Sequence, residues 1–88
     1  MGRANGGIDA PSTVQQGTPS FEIQVNSGAS TVVVTTSRPD GETEYTVGDD
    51  GKVTVTVPPG ATTNTTILIV DDRIPPNSAG VEIVSSSG

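Results

Sequence analysis

Two pairs of adjacent carboxylates, Asp49-Asp50 and Asp71-Asp72, are the residues of this chain whose type and spacing come nearest to a reactive or ligating site. Carboxylate oxygens are hard ligands, so either pair could contribute to a Ca²⁺ site. Two acids flanking a bond are also what glycoside hydrolysis uses. Neither reading goes far. The Asp-x-Asp-x-Asp-Gly spacing of calcium-binding loops is not met, and a sugar-cleaving cleft usually has aromatic walls, whereas this chain has only Phe21 and Tyr45. Asp is also an ordinary turn residue, because its side chain bonds to backbone two residues on. Turn chemistry, with no metal and no cofactor, is therefore the expectation at both pairs. The chain has no Cys, His or Trp, which removes zinc fingers, thiol nucleophiles and imidazole-based triads. Carboxylates, hydroxyls, Lys52 and Tyr45 remain, and Ser85-Ser86-Ser87 has no base to activate it. The expectation is a protein with no catalytic residue.

Residues suited to binding lie at the start of the chain. Residues 1–7 carry three Gly and one Arg with no periodicity, which reads as a flexible arm ahead of an ordered domain. On docking to a protein partner, Gly2, Arg3, Asn5, Gly6 and Gly7 would become ordered. Arg3 would offer its planar fork to a carboxylate, and the glycines would let backbone approach a surface closely. Tyr45 has the chemistry of an interface anchor, but its alternation with Val47 points it into a core. Asn64-Thr65-Thr66 matches a glycosylation acceptor, as chance allows in a chain with thirteen Thr.

Charge narrows the partners. Ten Asp/Glu against four Lys/Arg give a net charge of −6 over 88 residues, the wrong sign for displacing counterions from phosphate, so no nucleic acid is expected. No run approaches the roughly 18 apolar residues of a membrane span, and the first residues lack the apolar core of a signal peptide. Met1-Gly2 begins like a myristoylation site, but Gly6 stands where Ser or Thr is needed. Absence of Cys is compatible with a reducing compartment.

The elements that would position these residues are strands. Twelve Val and six Ile stand beside thirteen Thr and a single Leu; β-branched side chains lose rotamer freedom in a helix and pack well on a pleated surface. One all-β domain over residues 8–84 is expected, with about seven strands and a frayed tail at 85–88. Ile8 to Val14 is interrupted by Pro11, which suits an edge strand that changes direction or switches sheets. Phe21, Ile23 and Val25 alternate with polar residues. Thr31 to Thr36, with Val at 32, 33 and 34, is apolar on both faces and belongs inside a sheet. Pro39-Asp40-Gly41 is a turn, and Thr43 to Val47 a fourth strand. Asp49-Asp50-Gly51 reads as a hairpin, joining that strand to Lys52–Val57, so that the third, fourth and fifth strands form a meander. Pro58-Pro59-Gly60 removes two donors in succession and sends the chain to the other sheet. Ile67-Leu68-Ile69-Val70 is the most apolar run and should be central. Val81, Ile83 and Val84 mark the last strand.

Ile8-Asp9-Ala10-Pro11-Ser12 with Gly17, Arg38-Pro39-Asp40-Gly41, and Asp50-Gly51-Lys52-Val53-Thr54-Val55-Thr56-Val57-Pro58-Pro59-Gly60 resemble bacterial and bacteriophage immunoglobulin-like modules, across about residues 8 to 84. The resemblance implies an immunoglobulin-like Greek-key β-sandwich, here without the Cys pair and Trp of antibody domains. It implies one of two roles. The first is a capsid decoration protein on the outer surface of a phage head, bound to the major capsid protein and able to form homo-oligomers on the particle. The second is a repeat, spacer or carbohydrate-binding module of a bacterial cell-surface protein. A short chain opening on Met, without an export signal and with a charge unsuited to packaged DNA, favours the first.

Overall fold

Alternating β-branched and polar residues fold into eight strands. The computed structural model describes residues 7–38 and 40–85, and among these there is no helix. The strands are β1 (Ile8–Asp9), β2 (Thr13–Gln15), β3 (Ser20–Val25), β4 (Thr31–Ser37), β5 (Asp40–Thr46), β6 (Lys52–Thr56), β7 (Thr66–Asp71) and β8 (Ser78–Val84). They make a three-stranded sheet ordered β1-β3-β6 and a five-stranded sheet ordered β2-β8-β7-β4-β5. All pairings are antiparallel except β2 with β8, which run parallel.

The segment around Pro11 does change sheets. Ile8 pairs with Val25 in one sheet and Val14 with Ile83 in the other, because Pro11 has no N–H to continue a ladder. Both apolar runs read as interior strands lie inside the larger sheet, with β7 at its centre and β4 beside it. Pro58-Pro59-Gly60 carries the chain across to the other sheet, but β7 thereby joins β4 and β5 instead of leaving them, because β6 itself lies in the smaller sheet.

The expected meander does not form. β5 pairs with β4, but β6 pairs with β3 in the opposite sheet, with Val53 opposite Ile23 and Val55 opposite Phe21. Asp49-Asp50-Gly51 is therefore a crossing between sheets rather than a hairpin. Its turn chemistry is that of a hairpin, and only long-range pairing distinguishes the two. Eight strands replace the expected seven because the proline-broken first segment counts twice. The fourth strand starts at Asp40 rather than Thr43, so Asp40 and Gly41 pair with Ser37 and Thr36 instead of forming a wide turn. Pro39 lies outside the described residues.

Inward-facing side chains of both sheets meet in one apolar cluster. Ile8, Ile23, Val53 and Val55 come from the smaller sheet; Val32, Val34, Ile67, Ile69, Val81 and Ile83 come from the larger. Burial alternates strictly along β6, where Val53 and Val55 are buried and Lys52, Thr54 and Thr56 exposed. Each buried Val or Ile contributes about 1.5–3 kcal/mol, so matching these two apolar faces dominates the fold.

Candidate functional site

One end of the molecule gathers both carboxylate pairs and Gly7. Gly7 precedes β1 there, alongside the loops 26–30, 47–51 and 72–77. Val25 N–H donates to Gly51 O at 2.7 Å, Asn26 N–H to Gly7 O at 2.6 Å, and Val47 N–H to Ser30 O at 2.8 Å. These bonds lace the segments together. Gly51 has φ +78°, and a Cβ on it would lie 2.6 Å from Val25 O. Only glycine permits both the conformation and the approach.

Asp71, at the end of β7, organises this region. It is 6% exposed. Its Oδ1 accepts from Arg73 N–H at 3.1 Å and Asn77 N–H at 2.9 Å. Its Oδ2 accepts from the Ser27 hydroxyl at 2.7 Å and Asn77 Nδ2 at 2.8 Å. Burial alone would push this carboxyl up, but donors from Ser27, Asn77 and Arg73 outweigh that effect and hold it below its ordinary 3.8. The carboxylate thus pins both ends of loop 72–77 and ties that loop to loop 26–30.

The other candidate acids do similar work nearer solvent. Asp72 Oδ1 accepts from Ser30 N–H at 3.2 Å. Asp50 Oδ1 accepts from Lys52 N–H at 3.0 Å, and Asp50 O from Gln24 Nε2 at 2.7 Å. Three of the four Asp residues therefore engage backbone in turns, and Asp49 is exposed. Among the described residues no group of three or more His, Cys, Asp or Glu could hold a metal ion.

Gly7 is the one arm residue among those described. It is buried, and a Cβ on it would lie 2.4 Å from Asn77 Cγ. It is thus part of the folded end, packed on the side chain that Asp71 holds. Gly2, Arg3, Asn5 and Gly6 lie outside the described residues. Sequence reasoning missed Ser27 and Asn77, whose roles depend on contacts with Asp71 that span 44 and 6 residues. It also missed Ile74, which is 97% exposed within loop 72–77.

Tyr45 is half-buried on β5 and packs against the shared core. Its hydroxyl accepts from Thr56 N–H of β6 at 3.0 Å, so it also bridges the free edges of the two sheets. At the opposite end an apolar groove of about 370 Å³ lies between Pro19, Val57, Pro59 and Ile83. No buried side-chain nitrogen or oxygen among the described residues lacks a hydrogen-bond partner. Compared with protein-family models, curated proteins and solved structures, the chain matches none of them.

Proposed function

We propose that this chain is a non-catalytic binding protein, an immunoglobulin-like Greek-key sandwich that acts as a capsid decoration protein on the outer surface of a phage head and stabilises it. Support for the topology comes from the strand order, β1-β3-β6 against β2-β8-β7-β4-β5, with the first strand divided between the sheets. The observation that carries the binding role is the braced end. Three loops and Gly7 are held together by Asp71 and backbone bonds, and loop 72–77 presents Ile74 to solvent. A surface ordered before contact loses less entropy on binding.

In this reading the residues before Gly7 dock with that end, Arg3 pairing with a carboxylate of the major capsid protein. The test is co-sedimentation of purified protein with phage heads that lack it. Saturable binding is expected, together with heads that survive higher temperatures. Deleting residues 1–6 should weaken binding by about tenfold or more. Heads that never bind the protein would overturn the proposal.

A second reading, as a repeat or spacer of a bacterial cell-surface protein, has one observation in its favour. β8 starts beside Asn77, which touches Gly7, and its seven residues run about 20 Å away to Val84. The chain therefore enters at one end and leaves at the other, as a domain in a linear string must. Small-angle scattering from a tandem fusion tests this: an extended two-domain particle is expected, and a folded-back one counts against it.

A further inference from the structure

The two sheets differ in what they show to solvent. On the smaller sheet the outward positions are Asp9 on β1, Ser20, Glu22 and Gln24 on β3, and Lys52, Thr54 and Thr56 on β6. All are polar. The larger sheet has a different outer face. Its cross-strand rows run Gly80, Leu68, Thr35, Glu42 and, one step along, Ser78, Val70, Val33, Glu44. Leu68 is 45% exposed, and Val33 and Val70 are partly exposed beside it. Gly80, opposite Leu68, would meet nothing within 4 Å if it carried a Cβ. An apolar centre thus lies next to an open shallow spot.

Most of the charge bordering this centre lies on one side. Asp40, Glu42 and Glu44 occupy alternate positions of β5 on the same outer face, all exposed, and Glu82 stands on β8. None of the five strands in this sheet contains Lys or Arg. Three of the ten acids therefore form a single row along a sheet edge, without an interspersed cation.

We infer that the outer face of the five-stranded sheet is a docking surface for a protein partner that sets a basic rim beside an apolar centre, the rim meeting Glu42 and Glu44 and the centre meeting Leu68, Val70 and Val33. Apolar centre and charged rim are the usual division of labour in an interface. Opposite charge steers the encounter, while a second copy of this chain would bring another acidic row against the first. The carboxylates also guard the β5 edge against pairing with its own kind. The inference is independent of the capsid reading and of the arm, which concern the loop end.

The probe is a synthetic seven-residue peptide of alternating lysine and leucine, titrated into ¹⁵N-labelled full-length protein. Saturable shifts are expected at Val33, Thr35, Glu42, Leu68 and Gly80. Glu42→Lys with Glu44→Lys should weaken binding by about tenfold or more, and so should Leu68→Ser. Gly80→Gln, which adds a side chain where space is open, should do the same in a protein of unchanged stability. Glu22→Lys on the other sheet should leave affinity within about threefold, because net charge alone contributes little to a local contact. Deleting residues 1–6 should leave peptide binding intact, which separates this surface from the arm.

Shifts confined to the smaller sheet or to the loop end would overturn the inference. So would equal binding of a peptide alternating glutamate and leucine, no saturable binding, or equal loss with Glu22→Lys. Self-association of the free protein abolished by Leu68→Ser would instead assign the face to a second copy, and overturn the basic partner.

Discussion

Asp71 accepts four hydrogen bonds while buried, and this makes it the most exposed point of failure among the side chains. Replacing it with Ala leaves donors from Ser27, Arg73 and Asn77 without their acceptor, at an expected cost of about 2–3 kcal/mol in urea unfolding. Asp71→Asn keeps the shape but turns one oxygen into a donor facing Asn77 Nδ2, so it should also destabilise. Because the folded state holds this carboxyl below its ordinary 3.8, its contribution is complete above that pH. It is lost as pH falls through the lower folded value. Acid titration of stability should therefore be shallower in Asp71→Asn than in the wild type, and equal slopes would dissociate Asp71 from acid unfolding. Gly51→Ala combines a left-handed backbone with a 2.6 Å approach to Val25 O; a loss of about 2 kcal/mol or more is expected in the same assay.

Strands respond according to which face a residue occupies. On β7, Ile69 is fully buried while its neighbour Leu68 is 45% exposed on the opposite face. Ile69→Ala should cost about 2–5 kcal/mol through lost burial and the cavity left behind. Leu68→Ala should cost roughly 1 kcal/mol or less. Similar losses from both, measured by chemical denaturation, would mean that the outer face of the sheet is covered in the free protein. Between the sheets, Tyr45 ties the β5 edge to the β6 edge through Thr56 N–H. Tyr45→Phe retains the ring in the core and removes that bond. A loss of about 0.5–1.5 kcal/mol is expected, with faster hydrogen exchange at Thr56 as the local signature.

At the scale of the molecule, the two sheets have one core between them. Buried residues from β3 and β6 pack with those from β4, β7 and β8 in a single cluster, so neither sheet can cover its inner face without the other. Unfolding should be two-state: amide signals from the smaller and larger sheets should vanish at the same denaturant concentration, within error. Separate midpoints would show that the sheets are independent units.

Element identity was legible residue by residue, because burial alternation is local: Val53 and Val55 against Thr54 and Thr56 declare a half-buried strand whatever surrounds them. The break at Pro11 and the exit at Pro58-Pro59 were legible for the same reason, since a missing N–H ends a ladder anywhere. Pairing was not. Asp49-Asp50-Gly51 has the local chemistry of a hairpin, and whether the following strand returns beside β5 or crosses to β3 depends on which apolar faces can be buried together, a contest among distant segments. The braced end was hidden in the same way, since Asn77 meets Asp71 through the pairing of β7 with β8, and Ser27 meets it through the pairing of β4 with β7. Composition and periodicity by themselves determined an all-β chain of short strands with Asp-rich turns. Only the tertiary structure decided which acids became buried braces, which became a solvent-facing row on β5, and that Leu68, in the most apolar stretch, faces outward. A strand's period of two assigns residues to faces, and the partner sheet alone decides which face is covered.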